Sequence, residues 1–170
     1  MMSKFKPTIV LGIICLIVAL LLAAVNSVTS PIIQEEQDAK VQETLAQVLP
    51  EGKNFVKLDD VSALADIVDA VYTEDGGGYV FQLTVTGYKP GLQILCGVNA
   101  QGVVTGAEYT ISNETNGAEN GLGAKYAGAT NDTVTAEIIG GSTKTSEAYY
   151  TAIKTALESF EILTGKEGTQ

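Results

Sequence analysis

The chain has 170 residues, with ten lysines, no arginine or histidine, and twenty acids, giving a formal net charge of −10. Such a surface repels nucleic acid and anionic lipid, so neither is expected as a partner, and the lack of histidine argues against haem ligation and most general-base chemistry. Cys15 and Cys96 belong to no spaced set, which excludes an iron–sulfur or zinc site within this chain, so neither metal ligands nor catalytic residues are assigned.

From Ile9 to Val25 nothing is more polar than Gly12 and Cys15, a run about long enough to span a bilayer. Lys4 and Lys6 precede it, and the first charges after it are Glu35 and Glu36. The positive-inside bias therefore predicts a cytoplasmic N-terminus and a cell-membrane protein whose chain beyond residue 30 is extracytoplasmic. A cleaved signal peptide is the competing reading. Val25-Asn26-Ser27 is a poor small-residue cleavage site, and Ile14 stands before Cys15 where lipoprotein processing needs a small residue. Residues 1–30 are accordingly expected to be a retained single-pass anchor.

The eight lysines beyond residue 30 face all twenty acids, a net −12 over a stretch long enough for one domain with a modest core. Residues 31–52 read as an amphipathic stalk helix, with Ile32, Ile33, Val41, Leu45, Val48 and Leu49 near one stripe and Pro50-Glu51-Gly52 as its end. Residues 53–170 form the expected domain. A short helix over Asp60–Ala70 is one reading of its first part. Two hairpins follow: Ala70–Thr73 with Tyr79–Thr86 around a glycine-rich turn, then Leu92–Val98 with Val103–Ile111. A glycine-rich loop runs from Ser112 to about Gly128. A short strand, Thr133–Ile139, is expected to lead into a terminal helix reaching about Leu163, with Ala148, Ala152, Ile153, Ala156, Leu157 and Phe160 on its buried face. The pattern predicts an α+β fold, an antiparallel sheet with helices against one side and one N-terminal transmembrane helix.

The junction Glu-Ile-Ile-Gly-Gly-Ser-Thr-Lys-Thr-Ser, residues 137–146, carries the chemistry. A helix N-terminus leaves backbone N–H groups unpaired and partially positive, and Gly140 and Gly141 let a phosphate come close. Three other readings compete. The hydroxyls are also those of an ordinary helix N-cap. A P-loop is excluded because Lys144 follows Thr143. A nucleophilic threonine would need a base beside it, and there is no histidine.

Gly141-Ser142-Thr143-Lys144-Thr145-Ser146 resembles the flavinylation motif of the FMN-binding domain family, usually written Ser-Gly-Ala-Thr-x-Thr/Ser. Here Gly140 stands where Ser is usual and Ser142 where Ala is usual. The family includes the G subunit of Rnf-type ion-translocating complexes and the C subunit of the sodium-pumping NADH:quinone reductase. The loop before it holds the family's other element, Glu-Thr-Pro-Gly-Leu-Gly, as Glu114-Thr115 and Gly121-Leu122-Gly123, with five residues between them where one proline is usual. The resemblance implies one FMN per chain, joined by a phosphoester bond to Thr143, which makes the chain a phosphoprotein in that sense. It implies Gly141, Ser142 and Thr145 around the phosphate, and Glu114, Thr115, Gly121, Leu122, Gly123 and Lys125 near the ring. Glu114 and Glu119 both remain open for the acidic role of the loop. It further implies electron transport within a translocase-type complex, with integral membrane and redox subunits as partners and a flavin transferase to attach the group. Whether the chain counts as an enzyme by itself stays open, since nothing in it binds a nicotinamide or a cluster. Two other classes remain: a cofactor-free extracytoplasmic binding module, and a free-standing extracytoplasmic flavoprotein.

Overall fold

The computed structural model describes residues 6–115 and 117–165, and of residues 6–9, 28, 30–36 and 38 the backbone alone. Lys4, Asn116 and the side chains of Lys6, Ile32 and Ile33 thus lie outside the described set. The chain divides into two units, Met1–Ala39 and Lys40–Gln170.

The first unit is helical. Helix α1, Lys6–Val48, continues through Pro31, so no break in secondary structure marks the expected end of an anchor at residue 30. Its segment Val10–Ser27 is long and apolar enough to cross a membrane, and its side chains are exposed.

The second unit is built on a five-stranded antiparallel meander: β1 (Val56–Lys57), β2 (Val68–Thr73), β3 (Tyr79–Thr86), β4 (Pro90–Val98) and β5 (Val104–Ile111), in that spatial order. Tight turns fix the pairing. The Glu74 carboxylate accepts the amides of Gly76 and Gly78 at 2.7 and 2.8 Å. Asn99 Oδ1 accepts those of Gln101 and Val103 at 3.1 and 3.0 Å. Both hairpins form where the alternation and turn residues predict them.

Alternate side chains leave the sheet on opposite faces. Phe81, Leu83, Ile94, Cys96 and Val71 pack against helix α2 (Thr143–Thr164), which contributes Ala148, Tyr149, Ala152, Ile153, Ala156, Leu157 and Phe160 at helical spacing. Ala70, Tyr72, Val80 and Leu95 point the other way, onto Val41, Leu45 and Val48 of α1 and onto Leu49. The α+β class holds, but helices cover both faces rather than one. Close approach is possible there because Gly97 has no side chain: a Cβ would overlap the Val48 carbonyl oxygen.

Two expected elements do not form. Residues 60–67 make turns, with Ser62 N donating to Asp60 Oδ1 and Leu64 N to the Val61 carbonyl, and strand begins at Val68. The expected strand Thr133–Ile139 is not one: the amides of Thr133 and Val134 turn back to the Thr130 carbonyl, and two further amides find side-chain rather than ladder acceptors. Glu137 N donates to Tyr126 Oη and Ile139 N to Ser146 Oγ. Part of the free edge of β5 is already taken, since Val104 exchanges backbone bonds with Ala129 and Gly128.

Candidate functional site

The path into α2 is a tight turn. Ser142 N donates to the Ile139 carbonyl at 3.0 Å, and Gly141 sits third in the turn at φ +83°. A type II turn demands that left-handed conformation, which glycine adopts without a steric penalty. Ser146, fully buried one turn into the helix, ties the turn down. Its Oγ accepts from Ile139 N at 3.0 Å and donates to the Ser142 carbonyl at 3.1 Å.

Ser142 is the N-cap residue, yet its side chain makes no capping bond. The amides of the first helical turn are therefore left without the oxygen that a serine cap normally supplies. Thr143, the first residue of α2, is exposed. The hydroxyl cluster thus divides its labour: Ser146 holds the turn, Ser142 does not cap, and Thr143 faces solvent.

A cleft of about 310 Å³ opens beside this helix end, lined by Tyr88, Glu114, Thr115, Ala118 and residues 141–145. Six of the sequence-predicted residues meet there: Gly141, Ser142, Thr143 and Thr145 from the helix start, with Glu114 and Thr115 from the loop. Thr145 is almost fully buried, and its Oγ1 donates to Glu114 Oε2 at 2.5 Å. Glu114 also accepts the backbone amides of Tyr88 and Lys89, at 3.2 and 3.0 Å. Burial works against its charge, but the Thr145 hydroxyl, the two amides and the Lys89 charge outweigh it and hold the carboxyl below its usual value. Between the two candidate acids, Glu114 is the one at the cleft. Glu119 is buried, with Oε1 accepting from Ser112 Oγ at 2.7 Å.

The second half of the expected ring site lies elsewhere. Leu122 is fully buried in the core under α2, so its side chain is not available to cover a ring. Its amide is also occupied, donating to the Glu119 carbonyl at 3.3 Å. Gly123 starts a short 3-10 helix, Gly123–Tyr126, pressed so closely on β5 that a Cβ would collide with the Ala107 carbonyl oxygen. Gly121 supplies a positive φ of 71°. Gly-Leu-Gly is here a packing device, and none of its three residues lines the cleft. Lys125 pairs with Glu137 at 3.8 Å, both side chains about half exposed, an arrangement worth little energetically. Tyr88, which the sequence presents only as part of a turn, does line the cleft and is 65% exposed. A large aromatic flanked by Gly87 and Lys89-Pro90 at a hairpin tip was the available signal.

An exposed hydroxyl sits at a helix N-terminus with uncapped amides, beside an open cleft that carries one aromatic side chain. That donor set suits a phosphoester on Thr143, because the helix end stabilises the remaining negative charge.

Residues 2–48 match the family model described as the RnfG N-terminal region. The chain is 34% identical over 146 residues to the G subunit of the Na(+)-translocating ferredoxin:NAD(+) oxidoreductase complex of Acetobacterium woodii, covering 77% of this chain and 69% of that protein. It is 32% identical over 123 residues to the G subunit of the ion-translocating oxidoreductase complex of Cereibacter sphaeroides, covering 68% of this chain and 56% of the relative. It therefore spans little more than half the length of the latter.

Proposed function

The chain belongs to the G-subunit family of Rnf-type ion-translocating oxidoreductase complexes, and from that premise we propose that it is a membrane-anchored electron-transfer subunit carrying one FMN joined covalently to Thr143. The observation that carries this reading is the exposed Thr143 hydroxyl at the uncapped start of α2, on the rim of the cleft. Residues 1–30 act as the anchor, 31–52 as a stalk and 53–170 as the extracytoplasmic domain.

FMN, when attached, supplies one- and two-electron transfer, which no side chain here provides. The protein's own part is to bind and place it. Gly141 bends the chain so that the start of α2 is open to a phosphate, and Ser146 keeps that bend rigid. Thr115 and Glu114 form one wall of the cleft and Tyr88 another. A covalent tether prevents loss of the cofactor from a site open to solvent. Other membrane and redox subunits of an Rnf-type complex donate and accept the electrons, and a flavin transferase installs the group. Exposure of Thr143 leaves the hydroxyl accessible to such an enzyme.

The test is the intact mass and visible spectrum of full-length protein made in a host that contains a flavin transferase. Added mass of one FMN phosphoryl group, with flavin absorbance that survives denaturation, supports the reading. A bare polypeptide favours the cofactor-free binding module instead. Flavin present but no co-purifying membrane subunits favours the free-standing carrier.

A further inference from the structure

We propose that Glu114 is a positioning residue: its carboxylate latches Tyr88 at the mouth of the Thr143 cleft and so sets the surroundings of the group that Thr143 carries. The identity of that group rests on the FMN reading above, whereas the latch itself is a property of the chain alone.

Three segments distant in sequence meet at this one carboxylate. From the β3–β4 turn come the amides of Tyr88 and Lys89. From the first turn of α2 comes the hydroxyl of Thr145, at 2.5 Å. Glu114 itself is held by its own loop, its amide donating to Ser112 Oγ at 3.1 Å. The turn is shaped to receive it, because a Cβ on Gly87 would lie 2.7 Å from Glu114 Oε1. Thr145 is only 3% exposed, so its hydroxyl is spent on Glu114 and is not offered to the cleft.

What the latch orders is informative. Tyr88 is 65% exposed, so its ring contributes little to the core, yet its backbone is fixed by a charged acceptor. Fixing the backbone at a residue whose side chain stays exposed costs conformational entropy that burial of that side chain does not repay. Such an arrangement makes physical sense if the ring serves a ligand in the cleft it lines. A flat aromatic face suits a flat conjugated ring, which ties this residue to the ring end of the attached group rather than to its phosphate.

The groups facing the carboxylate define its response to pH. They are the Tyr88 and Lys89 amides and the Lys89 ammonium on the turn and the Thr145 hydroxyl on α2, with Lys144 on the same cleft wall. Three donors and a nearby ammonium favour the ionised form, and burial opposes it. A folded-state value below the unfolded one keeps the latch shut above the ordinary carboxylate range. It opens as the pH falls through that lower value.

The experiment uses full-length protein co-produced with a flavin transferase and compares only molecules that carry the added mass. A phenol beside an oxidised flavin quenches its emission, so Tyr88→Leu should brighten the flavin severalfold. Glu114→Gln should brighten it comparably and speed hydrogen exchange at the Tyr88 and Lys89 amides. Wild-type emission should rise on acidification below the carboxylate range while the near-ultraviolet dichroism is unchanged, and Glu114→Gln should show no such rise. A bright Tyr88→Leu beside a Glu114→Gln as dark as wild type overturns the proposal, as does the absence of brightening in both. Should Glu114→Gln fail to fold, the wild-type acid titration decides, and flat emission overturns the latch. If wild-type protein carries no added mass, the FMN reading fails. The latch then stands or falls on whether Glu114→Gln accelerates exchange at those two amides.

Discussion

The Thr145 hydroxyl donates to the Glu114 carboxylate at 2.5 Å across 31 residues of sequence, while Thr143, two positions earlier, is left exposed. Two threonines in one motif therefore have opposite circumstances, one spent on the fold and one free for chemistry. Thr143→Ala or Thr143→Val should abolish covalent flavin in an intact-mass measurement without lowering stability. Thr145→Ala should keep partial attachment but lose about 1 kcal/mol in urea denaturation, because Glu114 loses its hydroxyl donor. Flavin lost in Thr145→Ala but retained in Thr143→Ala would move the tether to Thr145.

Leu122 is fully buried and Gly123 rests on the Ala107 carbonyl. Leu122→Ala should cost about 2–5 kcal/mol, the range for a buried leucine truncated to a cavity. Leu122→Asp and Gly123→Ala should prevent folding. Lys125→Ala, which removes only an exposed pair, should change stability by less than about 0.5 kcal/mol. Thermal melts of the four variants check the order. A fully folded Leu122→Asp protein would mean that the leucine faces solvent or a ligand after all.

Burial pushes the Cys96 thiol up to about 12 and raises the Tyr149 phenol as well. Both groups have folded values above their unfolded ones. Their neutral forms thus support the fold fully below the unfolded values, near pH 8.5 and 10, and that support is lost as the pH rises through the folded ones. Cys96 should resist alkylation at pH 8 in folded protein and react on adding urea. Tyrosinate absorbance should show two late-titrating tyrosines, Tyr149 and Tyr126, both raised by burial, with ionisation of Tyr149 coinciding with loss of secondary structure. Rapid modification of Cys96 without unfolding would contradict its buried place on β4.

The charge distribution around the apolar segment predicts that the domain lies outside the cytoplasmic membrane. Protease added to intact spheroplasts should digest residues beyond the membrane segment. Protection there, with digestion only in inverted vesicles, would reverse the topology and the electron route with it.

Much of this architecture was legible in the sequence because local signals and long-range packing agree. The turn glycines Gly77 and Gly102, at φ +84° and +83°, sit where the alternating strands need reversals. The α2 face was readable from its spacing alone. Legibility failed where a backbone amide had a choice of acceptor. Residues 134–139 alternate as a strand does, but Tyr126 and Ser146 capture two of their amides, and periodicity cannot anticipate side chains so far off. The site divided in the same way. The helix-start residues gather around one cleft because they are contiguous, and Glu114 joins them. Gly121-Leu122-Gly123 does not, since a leucine between glycines looks alike whether it covers a ring or fills a core. Tyr88 was missed because its importance comes from Glu114, and that contact spans 26 residues.

The seating of Val48 has a mechanical meaning. Its carbonyl accepts from Thr105 Oγ1 at 2.5 Å and lies in the space left by Gly97 and Gly106, on the two adjacent strands β4 and β5. Tension entering the domain along the chain meets Lys40 first, whose Nζ donates to the Thr110 carbonyl on β5, then the buried Val41 and Leu45, and reaches Val48 last. The 87–89 turn and the start of α2 are held by a different anchor, the Glu114 carboxylate. A pull from the N-terminal side would strain the rear of the sheet before disturbing the geometry at Thr143.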